Sequence, residues 1–152
     1  MGEVNATAEM LIRRPARDIF DAFVNPRSIE KFWLKSTSGP LAKDAIVEWE
    51  FMVEGARETV TVTEFIPNQI IAFRWSDGIA VTMRFEQLDT GSTKFSVMAT
   101  GFTGTDPSSL AVNATEGLTI VACDLKSLLE TGQSGHMVRD KAILISTAKA
   151  DA

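Results

Sequence analysis

The chain is short of the residues that most often carry chemistry. Its 152 residues include one cysteine, Cys123, and one histidine, His136. A single cysteine excludes an internal disulfide and fits a reducing compartment. One Cys and one His cannot assemble the usual zinc ligand set, so no metal site is expected. No Gly-x-Ser-x-Gly elbow, phosphate loop or dinucleotide fingerprint occurs, and no cofactor is expected. No apolar run approaches the roughly 20 residues that span a bilayer. The first ten residues, MGEVNATAEM, lack the basic and apolar segments of a secretory signal, which places the chain in the cytoplasm. The sequons Asn5-Ala6-Thr7 and Asn113-Ala114-Thr115 then read as chance. Basic residues are also in deficit, giving a net charge of −5, which argues against nucleic acid or an anionic membrane as partner.

What is present fits one domain, residues 1–152, with residues 131–152 as an extra tail in which His136–Ala152 allows a further short helix of weak pattern. Residues Val4–Arg13 alternate: Ala6, Ala8, Met10 and Ile12 share one face, as on a strand with one side buried. Two short helices follow in Arg14–Trp33. Pro15 and Pro26 stand where helices begin, Asn25 is placed to cap the second, and Ile19, Phe20, Phe23, Ile29, Phe32 and Trp33 supply buried faces. Lys35–Asp44 reads as a loop. From Ala45 the period returns to two, with turn signals at Glu54–Ala56, Pro67-Asn68, Ser76–Gly78 and Asp89–Gly91. Such short connections require antiparallel neighbours.

After Phe102–Ser108 the period becomes about 3.6. Leu110, Ala114, Leu118, Val121, Leu125 and Leu128 form one stripe of a long helix. It starts at Asp106-Pro107 or at Asn113, and Gly132 stops it. The predicted fold is α+β and of helix-grip type. An antiparallel twisted sheet of about six strands wraps a long C-terminal helix, with two short helices between strands one and two.

Three stretches resemble the START-like (SRPBCC) superfamily. Within it they are similar to the bacterial homologues of the C-terminal domain of the heat-shock ATPase activator. They are Arg14–Trp33, with its proline, Phe-rich helix, Asn-Pro turn and terminal Trp; Val62–Pro67 running on to Ile71-x-Phe73-x-Trp75; and Gly117-Leu118 with Leu125 and Leu128. Leu118 stands where the family usually has Trp, and Lys43-Asp44-Ala45 replaces a glycine pair. The resemblance implies binding of a small hydrophobic ligand in a cavity between sheet and long helix. It leaves open a protein-interaction module that meets a chaperone, and a cyclase- or hydrolase-type enzyme that needs polar groups in the cavity. The chain is expected as a monomer or a homodimer, and no residue pattern supports a homodimer through the sheet edge or the tail.

The expected ligand contacts are the inward rings Trp33, Trp49, Phe51, Phe73, Trp75 and Phe85 with Met83, facing Leu118, Val121 and Leu125. Large rings on a concave sheet read equally as closed core or as pocket lining. Most charged residues of the sheet, Glu48, Glu50, Glu58, Arg57, Arg74 and Arg84 among them, read as cross-strand pairs on the wet face. Glu64 is the one to watch: it shares parity with Val60 and Val62 but conflicts with Phe65. If that parity holds it points into the cavity; the outward reading is the preferred one, and a bulge would reconcile the strand. His136, in Gly-Gln-Ser-Gly-His, reads as solvated, and Cys123 as packing beside the helix stripe rather than a nucleophile.

Overall fold

The computed structural model describes residues 3–150. Strand β1 (Ala6–Ile12) leads into helices α1 (Ala16–Val24) and α2 (Pro26–Phe32). Strands β2 (Leu34–Thr37), β3 (Ile46–Phe51), β4 (Arg57–Ile66), β5 (Ile70–Arg74), β6 (Ala80–Asp89) and β7 (Ser92–Thr100) follow, then α3 (Pro107–Thr131) and α4 (Met137–Ala150). All strand pairs are antiparallel in the order β1-β7-β6-β5-β4-β3-β2, so the first strand lies beside the last. α3 crosses the concave side over β1 and β7, and α1 and α2 fill the space beneath. This is the expected helix-grip arrangement.

The helix pair forms as its prolines and apolar spacing require. Asn25 Oδ1 accepts the Arg27 N–H at 3.0 Å, and Pro26 occupies the first helical position, where a missing N–H costs least. All six apolar residues expected to be inward here are buried. The largest fully covered side chains are Trp49, Phe23, Phe32, Phe73 and Phe95, each worth roughly 1.5–3 kcal/mol on burial.

Two details depart from the sequence reading, the extra edge strand and the burial at the start of α3, and the tail settles into the further helix that its weak pattern allowed. Leu34–Thr37, assigned in part to a loop, pairs with β3 as a seventh strand. It is only four residues long and sits at the sheet edge, where a short strand gives little periodic signal and limits edge-to-edge association. α3 starts at Asp106-Pro107, with Asp106 Oδ1 accepting Ser109 N–H at 3.1 Å, and its first turn buries Ala111 rather than Leu110. A 3.6-residue period drifts around a long helix, so a stripe drawn from its middle misses by one position at its end. The tail beyond Gly132, whose periodicity is weak, forms α4, a 14-residue helix.

The conflict in β4 is resolved by a bulge. Pairing with β5 shifts register between Val62 and Glu64. Val60 and Val62 stay inside, Phe65 swings in to pack on Phe20 at 5.2 Å between centroids, and Glu64 faces solvent.

Candidate functional site

A cavity of about 390 Å³ lies between the sheet, α3 and α4. Its floor is aromatic. Alternation along β3 and β5 turns Phe51 and Trp75 inward, and Trp33 enters from the end of α2. Behind them stand Trp49 and Phe73. Trp33 meets Trp49 at 5.0 Å, Trp49 meets Phe73 at 5.2 Å, and Phe51 meets Trp75 edge-on at 6.2 Å. Each such pair adds about 0.5–1.5 kcal/mol beyond burial, so the floor is stiff. α3 supplies the facing wall with Ala114, Gly117, Leu118 and Val121.

The ten expected contacts divide evenly. Trp33, Phe51, Trp75, Leu118 and Val121 line the cavity. Trp49, Phe73, Met83, Phe85 and Leu125 do not reach it and are closed core. Phe85 belongs to a second aromatic cluster under α1, 5.5 Å from Phe20 and 5.7 Å from Phe95. Period-two alternation assigns a residue to the inner face but not to a position along the strand, and the cavity occupies only one end of that face. Glu64 is outside it altogether.

Glu58, read as a wet-face residue, is instead the inward carboxylate. It shares the parity of Val60 and Val62 on the near side of the bulge and stands across from Trp49 on β3. Its Oε2 accepts Ser76 N–H at 3.0 Å and Ser76 Oγ–H at 2.7 Å, which ties β4 to the β5–β6 turn. In that turn Asp77 Oδ1 accepts Ile79 N–H at 3.0 Å, and Asp77 also lines the cavity. Met52, Val53 and Ala56, in the β3–β4 turn, complete this end.

The roof is α4; the sequence allowed a helix here, but its part in closing the cavity was missed. Val138, Lys141, Ala142 and Ile145 face the cavity at helical spacing. That spacing was available in the sequence, but Lys141 interrupts it and exposed Ile143 and Leu144 blur it. Lys141 Nζ is held 2.7 Å from Glu116 Oε1 on α3. The N-terminus of α4 is fixed by Asp124, which is 1% exposed. Its Oδ1 accepts Ser134 Oγ–H at 2.7 Å and Gly135 N–H at 2.9 Å, and its Oδ2 accepts Met137 N–H at 3.1 Å and Val138 N–H at 3.4 Å.

One buried side-chain polar atom among the described residues has no hydrogen-bond partner, Trp75 Nε1. Among the described residues no three His, Cys, Asp or Glu side chains converge as a metal site. Cys123 is half-buried on α3, and His136 is exposed at a positive φ of 56° in the α3–α4 turn. No helix among the described residues is long and apolar enough to cross a membrane.

Comparison with known proteins agrees with this architecture. Residues 13–130 match the family described as Activator of Hsp90 ATPase homolog 1-like protein. None of the curated proteins matches the chain. Among solved structures, a Staphylococcus saprophyticus protein is similar at 25% identity and a TM-score of 0.75, covering 86% of this chain and 94% of its own. The Aha1 dimer from Colwellia psychrerythraea is similar at 18% identity and a TM-score of 0.76, covering 86% of this chain and 99% of its own. A Mesorhizobium loti protein is similar at 20% identity and a TM-score of 0.72, covering 83% and 96%.

Proposed function

The chain belongs to the family of Activator of Hsp90 ATPase homolog 1-like proteins, and from that premise we propose that it binds a small, largely apolar molecule between the sheet and α3. The observation that carries this reading is the cavity of about 390 Å³ floored by Trp33, Phe51 and Trp75. Ligand sites are concave, mostly apolar and supplied with few polar groups, and this one matches each criterion. The unpartnered Trp75 Nε1 adds support, because a buried donor left without an acceptor costs about 1–3 kcal/mol. A ligand oxygen that accepts from Nε1 would relieve that cost. Binding is favoured over a cyclase or hydrolase because the lining is largely apolar, its one lysine is paired with Glu116, and no histidine or cysteine stands beside Glu58 and Asp77.

Native mass spectrometry of freshly purified protein, set against its denatured mass, tests the reading. A non-covalent adduct lost on denaturation is expected, and Trp75→Glu is expected to remove it while the fold persists. A folded Trp75→Glu chain that keeps the adduct overturns the assignment. So does a native chain with neither an adduct nor saturable binding of 1-octanol.

A second reading, contact with a chaperone ATPase, draws on exposed aliphatic residues: Leu110 and Val112 on α3, Ile143 and Leu144 on α4. Burial of such exposed apolar side chains is what a partner protein would gain from contact here. Stimulation of the chaperone's ATPase that is lost in Val112→Asp with Leu144→Asp supports it, and an unchanged ATPase rate removes it.

A further inference from the structure

The charges around the cavity are unevenly placed. Lys141 is the one basic residue on the wall, and Glu116 neutralises it at 2.7 Å. The two acidic residues, Glu58 and Asp77, flank Ser76 at the Trp75 end. Each spends one oxygen on the protein: Glu58 Oε2 on Ser76 and Asp77 Oδ1 on Ile79 N–H. Glu58 Oε1 and Asp77 Oδ2 take no hydrogen bond among the described residues. Trp75 and Phe51 line the same cavity as these carboxylates, their rings edge-on to each other at 6.2 Å, and Trp49 stands directly across the ladder from Glu58. A carboxylate next to aromatic faces attracts a weakly hydrated cation and repels an anion, and partial removal of water strengthens both effects.

We propose that the cavity selects apolar molecules that carry an ammonium group, a protonated or quaternary amine. The cation rests against Glu58 and Asp77 on the Trp75 and Phe51 rings, and the apolar part lies under α3 and α4. Fatty-acid-like anions are disfavoured: the lysine that would meet them is already paired with Glu116, and two carboxylates stand in the same lining. This inference rests on the ligand-binding reading above and adds the chemical class of the ligand.

Three probes of equal chain length separate the two claims by calorimetry at pH 7: octyltrimethylammonium, 1-octanol and octanoate. The ammonium is expected to bind about tenfold more tightly than octanoate, with 1-octanol between them. Raising the salt concentration narrows that gap and leaves 1-octanol unaffected. Glu58→Gln combined with Asp77→Asn is expected to bring the ammonium and octanoate affinities to within about twofold of each other. Both replacements keep an oxygen to accept from Ser76 and Ile79, so the turn is retained. If 1-octanol binds and octanoate equals or exceeds the ammonium, the class assignment is overturned and the cavity stands as a site for other molecules. An ammonium preference that survives the double substitution also overturns it. If none of the three binds, the ligand-binding reading itself fails.

Discussion

Asp124 shows how much a single residue can organise. A carboxylate buried to 1% exposure is tolerable only when its lone pairs are filled, and here four donors from Ser134 to Val138 fill them. Two of the donors are the first backbone N–H groups of α4, so Asp124 caps that helix from outside it. Asp124→Ala is expected to lower stability by about 2–3 kcal/mol in urea denaturation, with Asp124→Asn recovering part of the loss. A loss below about 0.5 kcal/mol counts against the cap. In the sequence Asp124 looks like any polar residue off the apolar stripe of α3, because its partners lie in a segment with no clear period. Glu58 was hidden differently. The alternation that singles out Glu64 applies equally to Glu58, and only the position of the bulge decides which of the two faces inward.

At the scale of elements, the parts legible in the sequence are those whose burial repeats regularly. β1, the meander from β3 to β7 and α3 each carry a full face of apolar residues, and turn signals separate them. β2 and α4 are too short or too lightly buried for that. Ala142 is the buried apolar residue of α4, and the helix rests on α3 and α2 alone. The family match, residues 13–130, also ends before it. α4 is thus a roof added to a body that does not need it for its core. A chain ending at Gly132 is expected to keep its sheet by circular dichroism and to bind 1-octanol about tenfold more weakly, having lost the walls from Val138, Ala142 and Ile145. Unchanged affinity in the shortened chain rules out the roof role. The cavity was the least legible feature, since half of its lining comes from turns and from α4, where no periodic pattern marks an inner face.

For the whole molecule, the joint between β1 and the end of α3 matters most. Glu130 Oε2 accepts Arg13 N–H at 2.8 Å and Lys126 Nζ–H at 2.7 Å, and Lys126 also donates to Leu11 O at 2.6 Å. These bonds, the one from Lys126 first, hold the Glu130 carboxyl below its ordinary pKa. A carboxyl with a lowered folded-state pKa adds stability above its unfolded value, and that stability disappears as pH falls through the folded one. The native chain is therefore expected to lose more unfolding free energy than Glu130→Gln between about pH 5 and about pH 3, read by urea titration at both. Parallel pH profiles exclude the joint as a pH-dependent contributor. The same joint draws attention to when β1 finds its partner. The ladder joins Ile12 to Thr93 and Ala6 to Ala99, so β1 leaves the ribosome well before the strand that completes its hydrogen bonds. At 5–20 residues per second that interval is on the order of 4–16 s. Throughout it the nascent chain carries an unpaired strand and an uncovered pair of Phe-rich helices, and its exposure to misassembly is set by translation speed as much as by final stability.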